Sequence, residues 1–216
     1  MTRPIAFALD LDDTLFLERD YVSSCFAWVA ETLGRPVAKE RLEAAFEKGE
    51  RDPIGALCRE MGIGADEQKR LITDMRAHNP SIALLPDTHR FLERLRQSGE
   101  PFYIITNGRS ITQRCKITAL SLLDAEIIAI SEEIGAEKPD QAIYQPVIDA
   151  RPDAQCVYIG DNPRKDFITP NRLGWLSVMR RHGGRGVHAQ NIDVPQACQA
   201  HRTVSTLDEL FDLISG

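Results

Sequence analysis

The sequence predicts an α/β fold: a doubly wound (Rossmann-like) parallel sheet core with an inserted helical-bundle cap. Three observations predict it. Short apolar runs recur along the chain and are continuous rather than alternating, as expected of strands covered on both faces. Helical patterns separate the later runs, the strand–helix alternation of right-handed crossovers. One long stretch, 16–85, carries several helical patterns and no convincing strand.

The first strand is "IAFALDL" (5–11), and it runs directly into Asp10, Asp12 and Asp13. Helices are expected next near 18–33, 38–48, 52–61 and 65–78. Gly34 followed by Pro36 is a stop signal, and Asp52-Pro53 and Asp66 are start signals. Phe26, Trp28, Val29 and Leu33 read as the apolar core of this bundle. The expected division is therefore a core of residues 1–15 and 86–216 and a helical cap of residues 16–85.

The core resumes with a helix over "THRFLERLRQSG" and the strand "PFYIITN" (101–107). The helix "SITQRCKITALSLL" and the strand "AEIIAIS" (125–131) follow, then the helix "QAIYQPVIDA" and the strand "CVYIGD" (156–161). "WLSVMRR" (175–181) is a fifth strand and "RTVS" (202–205) a weaker sixth. The glycine-rich piece "RRHGGRGVHAQNIDVP" (180–195) reads as a loop over the carboxyl ends of the strands.

Composition narrows the function. With 216 residues, 43% hydrophobic and 27% charged, the chain can bury one sizeable core with an insert. A net charge of −6 argues against non-specific nucleic-acid binding, so an anionic substrate must meet a local positive site. No run is long and apolar enough for a membrane span, and the start shows no signal-peptide cleavage site. The five cysteines are scattered without a C-x-x-C pair, which suits reduced thiols in a cytoplasmic protein.

The chemistry gathers at strand ends, where open α/β sheets bind ligands. The first strand ends in Asp10 and Asp12, the second in Thr106-Asn107, and the fourth in Gly160-Asp161. "EKPD" places Lys138 on a loop after the third strand. Asp10 and Asp12 are two apart, so an extended chain points both side chains the same way. Burying such carboxylates is costly without a compensating cation. With Asp161 and Asp166 added, a hard divalent ion with oxygen ligands, magnesium above all, would relieve the repulsion. Thr106 as a hydroxyl donor and Lys138 as a point charge suit phosphate oxygens.

In order, "DLDDT" (10–14), "IITNG" (104–108), "EKPD" (137–140) and "GDNPRKD" (160–166) resemble the haloacid dehalogenase-like (HAD) phosphohydrolase superfamily, and the helical insert falls where that family keeps its cap. The resemblance implies that Asp10 is the nucleophile and forms an aspartyl-phosphate. Asp12 would protonate the leaving alcohol and later take a proton from water. Mg2+ would be held by the Asp10 carboxylate, the Asp12 backbone carbonyl and Asp161, with Asp166 a further ligand or an orienting group. Thr106, Asn107 and Lys138 would hold the phosphoryl oxygens. The implied substrate is a small phosphate monoester: a sugar phosphate, a nucleoside monophosphate or a phosphoglycolate-like acid. No nucleic acid or membrane partner is implied, and the expected state is a monomer or homodimer.

Rival readings make distinct demands. A solvated acidic turn explains the aspartates alone but not the other three motifs. An EF-hand needs Gly and Glu where Leu15 and Tyr21 stand. A receiver domain carries its phospho-accepting aspartate on a later strand and no helical insert. A dehalogenase has no use for Asp12, since a departing halide needs no proton. A phosphomutase acting on a sugar phosphate, and a non-catalytic phosphate-binding protein on the same core, remain as alternatives. Arg180, Arg181 and Arg185 are expected to attract an anionic substrate, and Asp13 to be solvated or bonded to backbone.

Overall fold

The computed structural model describes residues 4–190 and 193–214. A parallel sheet of six strands forms its centre, in the order β3-β2-β1-β4-β5-β6. The strands are β1 (Ile5–Leu9), β2 (Phe102–Thr106), β3 (Ile127–Ile130), β4 (Gln155–Gly160), β5 (Leu176–Arg180) and β6 (Arg202–Val204). All five clear runs and the weaker sixth are thus strands. Leu9 lies beside Ile104 on one neighbour and Ile159 on the other, which aligns the carboxyl ends of β1, β2 and β4.

Both faces of the sheet are buried, and period-two alternation divides the side chains between them. Phe7, Leu9, Phe102, Ile104, Val157 and Ile159 join one apolar layer. Helices α5 (Pro86–Ser98) and α6 (Ser110–Ala119) contribute Phe91, Leu92, Leu95 and Ile117 to it. Ala6, Ala8, Tyr103, Ile105, Cys156 and Tyr158 point into the other layer with Tyr144, Val147 and Trp175. The short helix α7 (Ser131–Ile134) follows β3 directly. The helical pattern before β4 is broken into a 3-10 turn (Gln141–Ile143) and α8 (Gln145–Ala150). Pro146 has no N–H to continue a helix, so a new one starts around it. Helix α9 (Ile168–Arg172) then precedes β5.

Between β1 and α5 lie four helices: α1 (Glu18–Thr32), α2 (Val37–Glu47), α3 (Pro53–Glu60) and α4 (Ala65–Arg76). Gly34, at φ +61°, ends the first, and the Asp52 side chain caps the third by accepting the Gly55 N–H at 2.9 Å. These helices share an apolar cluster of their own, built on Phe26, Val29, Leu42, Leu57 and Leu71, with Trp28 and Leu33 half-buried at its edge. The chain leaves the core after Leu15 and returns at Leu85, where the Leu85 N–H donates to the Leu15 carbonyl at 3.1 Å. Among the described residues no helix is long and apolar enough to cross a membrane.

Candidate active site

The strand order reverses direction between β1 and β4, the switch point at which doubly wound sheets bind ligands. Asp10 and Asp161 stand on either side of it, one residue past β1 and β4. The Asp10 N–H still donates to the Ile159 carbonyl at 2.8 Å, so the sheet ladder fixes where its carboxylate begins.

Lys138 is the hub. Its Nζ lies 2.6 Å from Asp10 Oδ1, 2.8 Å from Asp166 Oδ1 and 3.0 Å from the Tyr158 hydroxyl. Its loop is clamped by Asn107, whose Oδ1 accepts the Lys138 N–H at 2.8 Å while its Nδ2 reaches the Lys138 carbonyl at 3.4 Å. Asp166 is saturated: Oδ1 faces Lys138 and the Tyr158 hydroxyl, and Oδ2 accepts the N–H groups of Asp161 at 3.2 Å and Asn162 at 2.8 Å. Gly160 makes this closeness possible, since a Cβ there would sit 2.7 Å from Asp166 Oδ2.

Asp10, Asp161 and Asp166 are all buried, and their carboxylate oxygens lie within 4.8 Å of one another. Burial would raise Asp166, but Lys138, Lys165 and hydrogen bonds outweigh it and hold the carboxyl below its ordinary range. Burial also works against the charge on Lys138, yet Asp10 and Asp166 keep it firmly protonated. Burial, aided by Asp166 and opposed by Lys138, pushes Asp10 up to about 6. Burial and the acidic neighbours Asp166, Asp10 and Asp13 push Asp161 up to about 9. One lysine therefore does not neutralise three carboxylates, and Asp161 Oδ2 has no hydrogen-bond partner among the described residues. This donor set, hard and oxygen-only, fits a divalent cation such as magnesium.

Asp12 sits at the opening of the cluster, held by α6. Lys116 Nζ is 2.6 Å from its Oδ1, and Gln113 Nε2 donates to its Oδ2 at 2.9 Å. The same Gln113 nitrogen donates to Thr106 Oγ1 at 2.7 Å, linking the ends of β1 and β2. Lys116 is itself buried and lies over the rings of Tyr21 and Phe16, at 4.2 and 5.8 Å. Glu18 stands half-buried nearby, its carboxyl pushed up to about 7 by burial and by Asp12.

Over residues 6–174 the chain matches the haloacid dehalogenase-like hydrolase family. It belongs to that family. Glyceraldehyde 3-phosphate phosphatase of Methanopyrus kandleri is 30% identical over 199 residues, 82% of this chain and 84% of that one. (S)-2-haloacid dehalogenase H-109 of Pseudomonas putida is 28% identical over 188 residues, 86% of this chain and 70% of that one. The HAD-hydrolase YfnB of Bacillus subtilis, solved bound to magnesium, superimposes with a TM-score of 0.71 at 20% identity over 100% of both chains. The haloacid dehalogenase-like hydrolases similar to this one thus include both phosphatases and dehalogenases by name.

In this haloacid dehalogenase-like hydrolase the residues singled out in the sequence, Asp10, Asp12, Thr106, Asn107, Lys138, Asp161 and Asp166, form one connected cluster. Asp13 bonds to backbone, as one of its two expectations had it, and is fully buried rather than solvated. Its oxygens accept the N–H groups of Glu18 at 2.9 Å and Val187 at 2.6 Å. Arg180 is a correction: it is buried and cannot attract substrate. Its guanidinium grips Asp87 through two bonds of 2.7 and 2.6 Å and donates to Thr88 Oγ1 and the Thr14 carbonyl. A guanidinium at a strand end reads as a substrate group in sequence, but here its carboxylate arrives from α5. The segment 181–190 folds over the strand ends as expected, and residues 191 and 192 of that loop lie outside the described residues. Gln113, Lys116 and Tyr158 were not singled out. A tyrosine inside a buried apolar run was the available signal for the last, because a buried phenol needs a partner.

Proposed function

We propose that this hydrolase is a magnesium-dependent phosphatase that cleaves a small phosphate monoester through an aspartyl-phosphate on Asp10. The observation that carries the reading is Asp12: a second carboxylate two residues after the nucleophile, oriented by Lys116 and Gln113. Expelling an alkoxide requires a proton donor, whereas expelling a halide does not, so Asp12 favours phosphate over haloacid chemistry.

Asp10 attacks phosphorus, with Lys138 beside it to offset the oxygens of the incoming group. Asp12 gives its proton to the departing alcohol oxygen. It then takes a proton from the water that hydrolyses the acyl-phosphate, restoring both residues. Thr106 and Lys138 hold the non-bridging oxygens, and Asn107 keeps the Lys138 loop in register. Asp10, Asp161 and the Asp12 carbonyl would hold the cation, which supplies charge neutralisation for an incoming dianion. Asp166, with both oxygens already engaged, orients Lys138 and the Asp161 backbone. Residues 16–85 act as a cap that excludes water and reads the leaving group, moving about the Leu15–Leu85 junction on the core of residues 1–15 and 86–216. Such a cap favours small soluble metabolites, a sugar phosphate, nucleoside monophosphate or short phosphorylated acid or aldehyde.

The test is phosphate release from a panel of phosphomonoesters that includes three-carbon phosphates, with and without Mg2+, for the native protein and Asp10→Asn. Magnesium-dependent turnover that vanishes in Asp10→Asn supports the reading. Turnover of 2-haloacids without phosphate release would overturn it. Phosphate transfer back to a sugar, dependent on a bisphosphate, would identify a mutase.

A further inference from the structure

We propose that His182, in the glycine-rich loop after β5, is a positioning residue for the Asp161 carboxylate and thereby sets the affinity of the metal site. The proposal rests on the magnesium reading above. Its basis is a pair of buried polar atoms that face each other. Asp161 Oδ2 and His182 Nε2 are 3.8 Å apart, and neither has a hydrogen-bond partner among the described residues. Both side chains are 2% exposed. A buried donor and a buried acceptor left unpaired are each costly, and two that face across less than 4 Å mark a contact that a third group completes.

The imidazole cannot be that third group's ligand. The Gly186 N–H donates to His182 Nδ1 at 2.9 Å, so Nδ1 carries the lone pair and the hydrogen lies on Nε2. Nε2–H is thus a donor 3.8 Å from Asp161 Oδ2, with the Asp13 carboxylate also within 4.8 Å of it. A metal-binding carboxylate uses one oxygen for the ion and is commonly steered by a hydrogen bond to the other. With the ion on one oxygen, the negative charge left on Oδ2 draws in the N–H that already faces it.

The loop is built to hold that imidazole. Gln190 Nε2 donates to the Asp161 carbonyl at 3.0 Å and the Arg180 carbonyl at 2.7 Å, while its Oε1 accepts the His182 N–H at 3.2 Å. The Val187 N–H is bound by Asp13. Gly186 leaves the room required, for a Cβ there would fall 2.4 Å from His182 Nε2 and 2.7 Å from Asp13 Oδ2. These bonds tie the loop to the ends of three strands: to Asp161 after β4, to Arg180 on β5 and to Asp13 after β1.

The experiment is titration of the purified protein with Mg2+ alone, by calorimetry, for the native chain, His182→Ala, His182→Gln and Gly186→Ala, with the thermal midpoint of each recorded. The native chain should bind one ion. His182→Ala should bind it about 10- to 100-fold more weakly, the usual cost of removing such a supporting group. His182→Gln, which keeps a donor at similar reach, should recover most of that loss. Gly186→Ala should weaken binding with the imidazole still present, and it carries the test if His182→Ala does not fold. Unchanged affinity in folded His182→Ala or Gly186→Ala overturns the proposal while leaving the magnesium reading intact. A second ion in the native chain that His182→Ala loses would make His182 a ligand and also overturn it. No Mg2+ binding by the native chain would instead sink the magnesium reading itself.

Discussion

Lys116 Nζ lies 2.6 Å from Asp12 Oδ1, and the ring of Tyr21 on α1 lies 4.2 Å from the same nitrogen. The side chain that holds the proposed acid–base carboxylate is thus packed against the first inserted helix. Lys116 is buried and is not a surface charge. It is one of the points at which the core and the inserted helices touch.

That relationship predicts a dependence on the leaving group. Lys116→Met keeps the stem between the rings and removes the ammonium. Turnover of alkyl phosphates should fall by about tenfold or more, short of the roughly 10²- to 10⁴-fold expected for Asp12→Asn. Turnover of p-nitrophenyl phosphate, whose leaving group needs little protonation, should fall much less in both variants. A parallel loss on both substrate types would mean that Lys116 serves phosphate binding instead.

Gly160→Ala should disable the site from behind. Its Cβ would collide with Asp166 Oδ2 at 2.7 Å and Cγ at 2.8 Å, and Asp166 is what aims Lys138. Activity should drop sharply and the thermal midpoint should fall. Steady-state kinetics and a thermal melt on the same preparation check both.

Arg180→Met should be costly for folding rather than for binding. It strands the buried Asp87 carboxylate, which would keep backbone N–H donors, Leu207 at 2.8 Å among them, but no cation. Breaking one side of a buried pair costs about 3–5 kcal/mol. Asp87 is normally held below its ordinary range because Leu207 and Arg180 together outweigh its burial. Urea unfolding at neutral pH should show the loss, and Arg180→Met with Asp87→Leu should recover part of it.

The metal-free protein should lose stability as pH rises. Asp161 is pushed from 3.8 to about 9 and Asp10 from 3.8 to about 6, so between those values the native state holds protons that the unfolded chain has released. Stability from these two groups is complete below pH 3.8 and is lost progressively up to about 9. Asp87 and Asp166, held low, act only on the acid side of that window. Melts in EDTA should therefore show the midpoint falling from about pH 5 to 9, and saturating Mg2+ should flatten the trend. A midpoint that rises across that range in EDTA would contradict the buried acidic cluster.

Much of the fold was legible because buried parallel strands write themselves as unbroken apolar runs, and helix ends as Gly34 or Asp52. The clustering of the candidate site residues was legible because topology carries strand ends to one crevice, so order along the chain becomes proximity. What escaped was tertiary. Gln113 and Lys116 lie on a helix where polar residues read as a solvated face, yet they reach Asp12 across 101 and 104 residues of chain. Arg180 was misread because its partner Asp87 is 93 residues away and nothing local announces the pairing. His182 lies in a segment whose glycines say only that it turns.

The single hydrogen bond between the Leu85 N–H and the Leu15 carbonyl, 3.1 Å long, brings the two ends of the inserted helices to one doorway in the core. Whatever is built beyond that doorway, the core meets the same pair of chain ends. Asp10, Lys138 and Asp161 all lie on the core side of that doorway, at the ends of β1 and β4 and on the loop after β3. On the proposed reading, substrate choice and bond-breaking would thereby fall on separate stretches of one polypeptide.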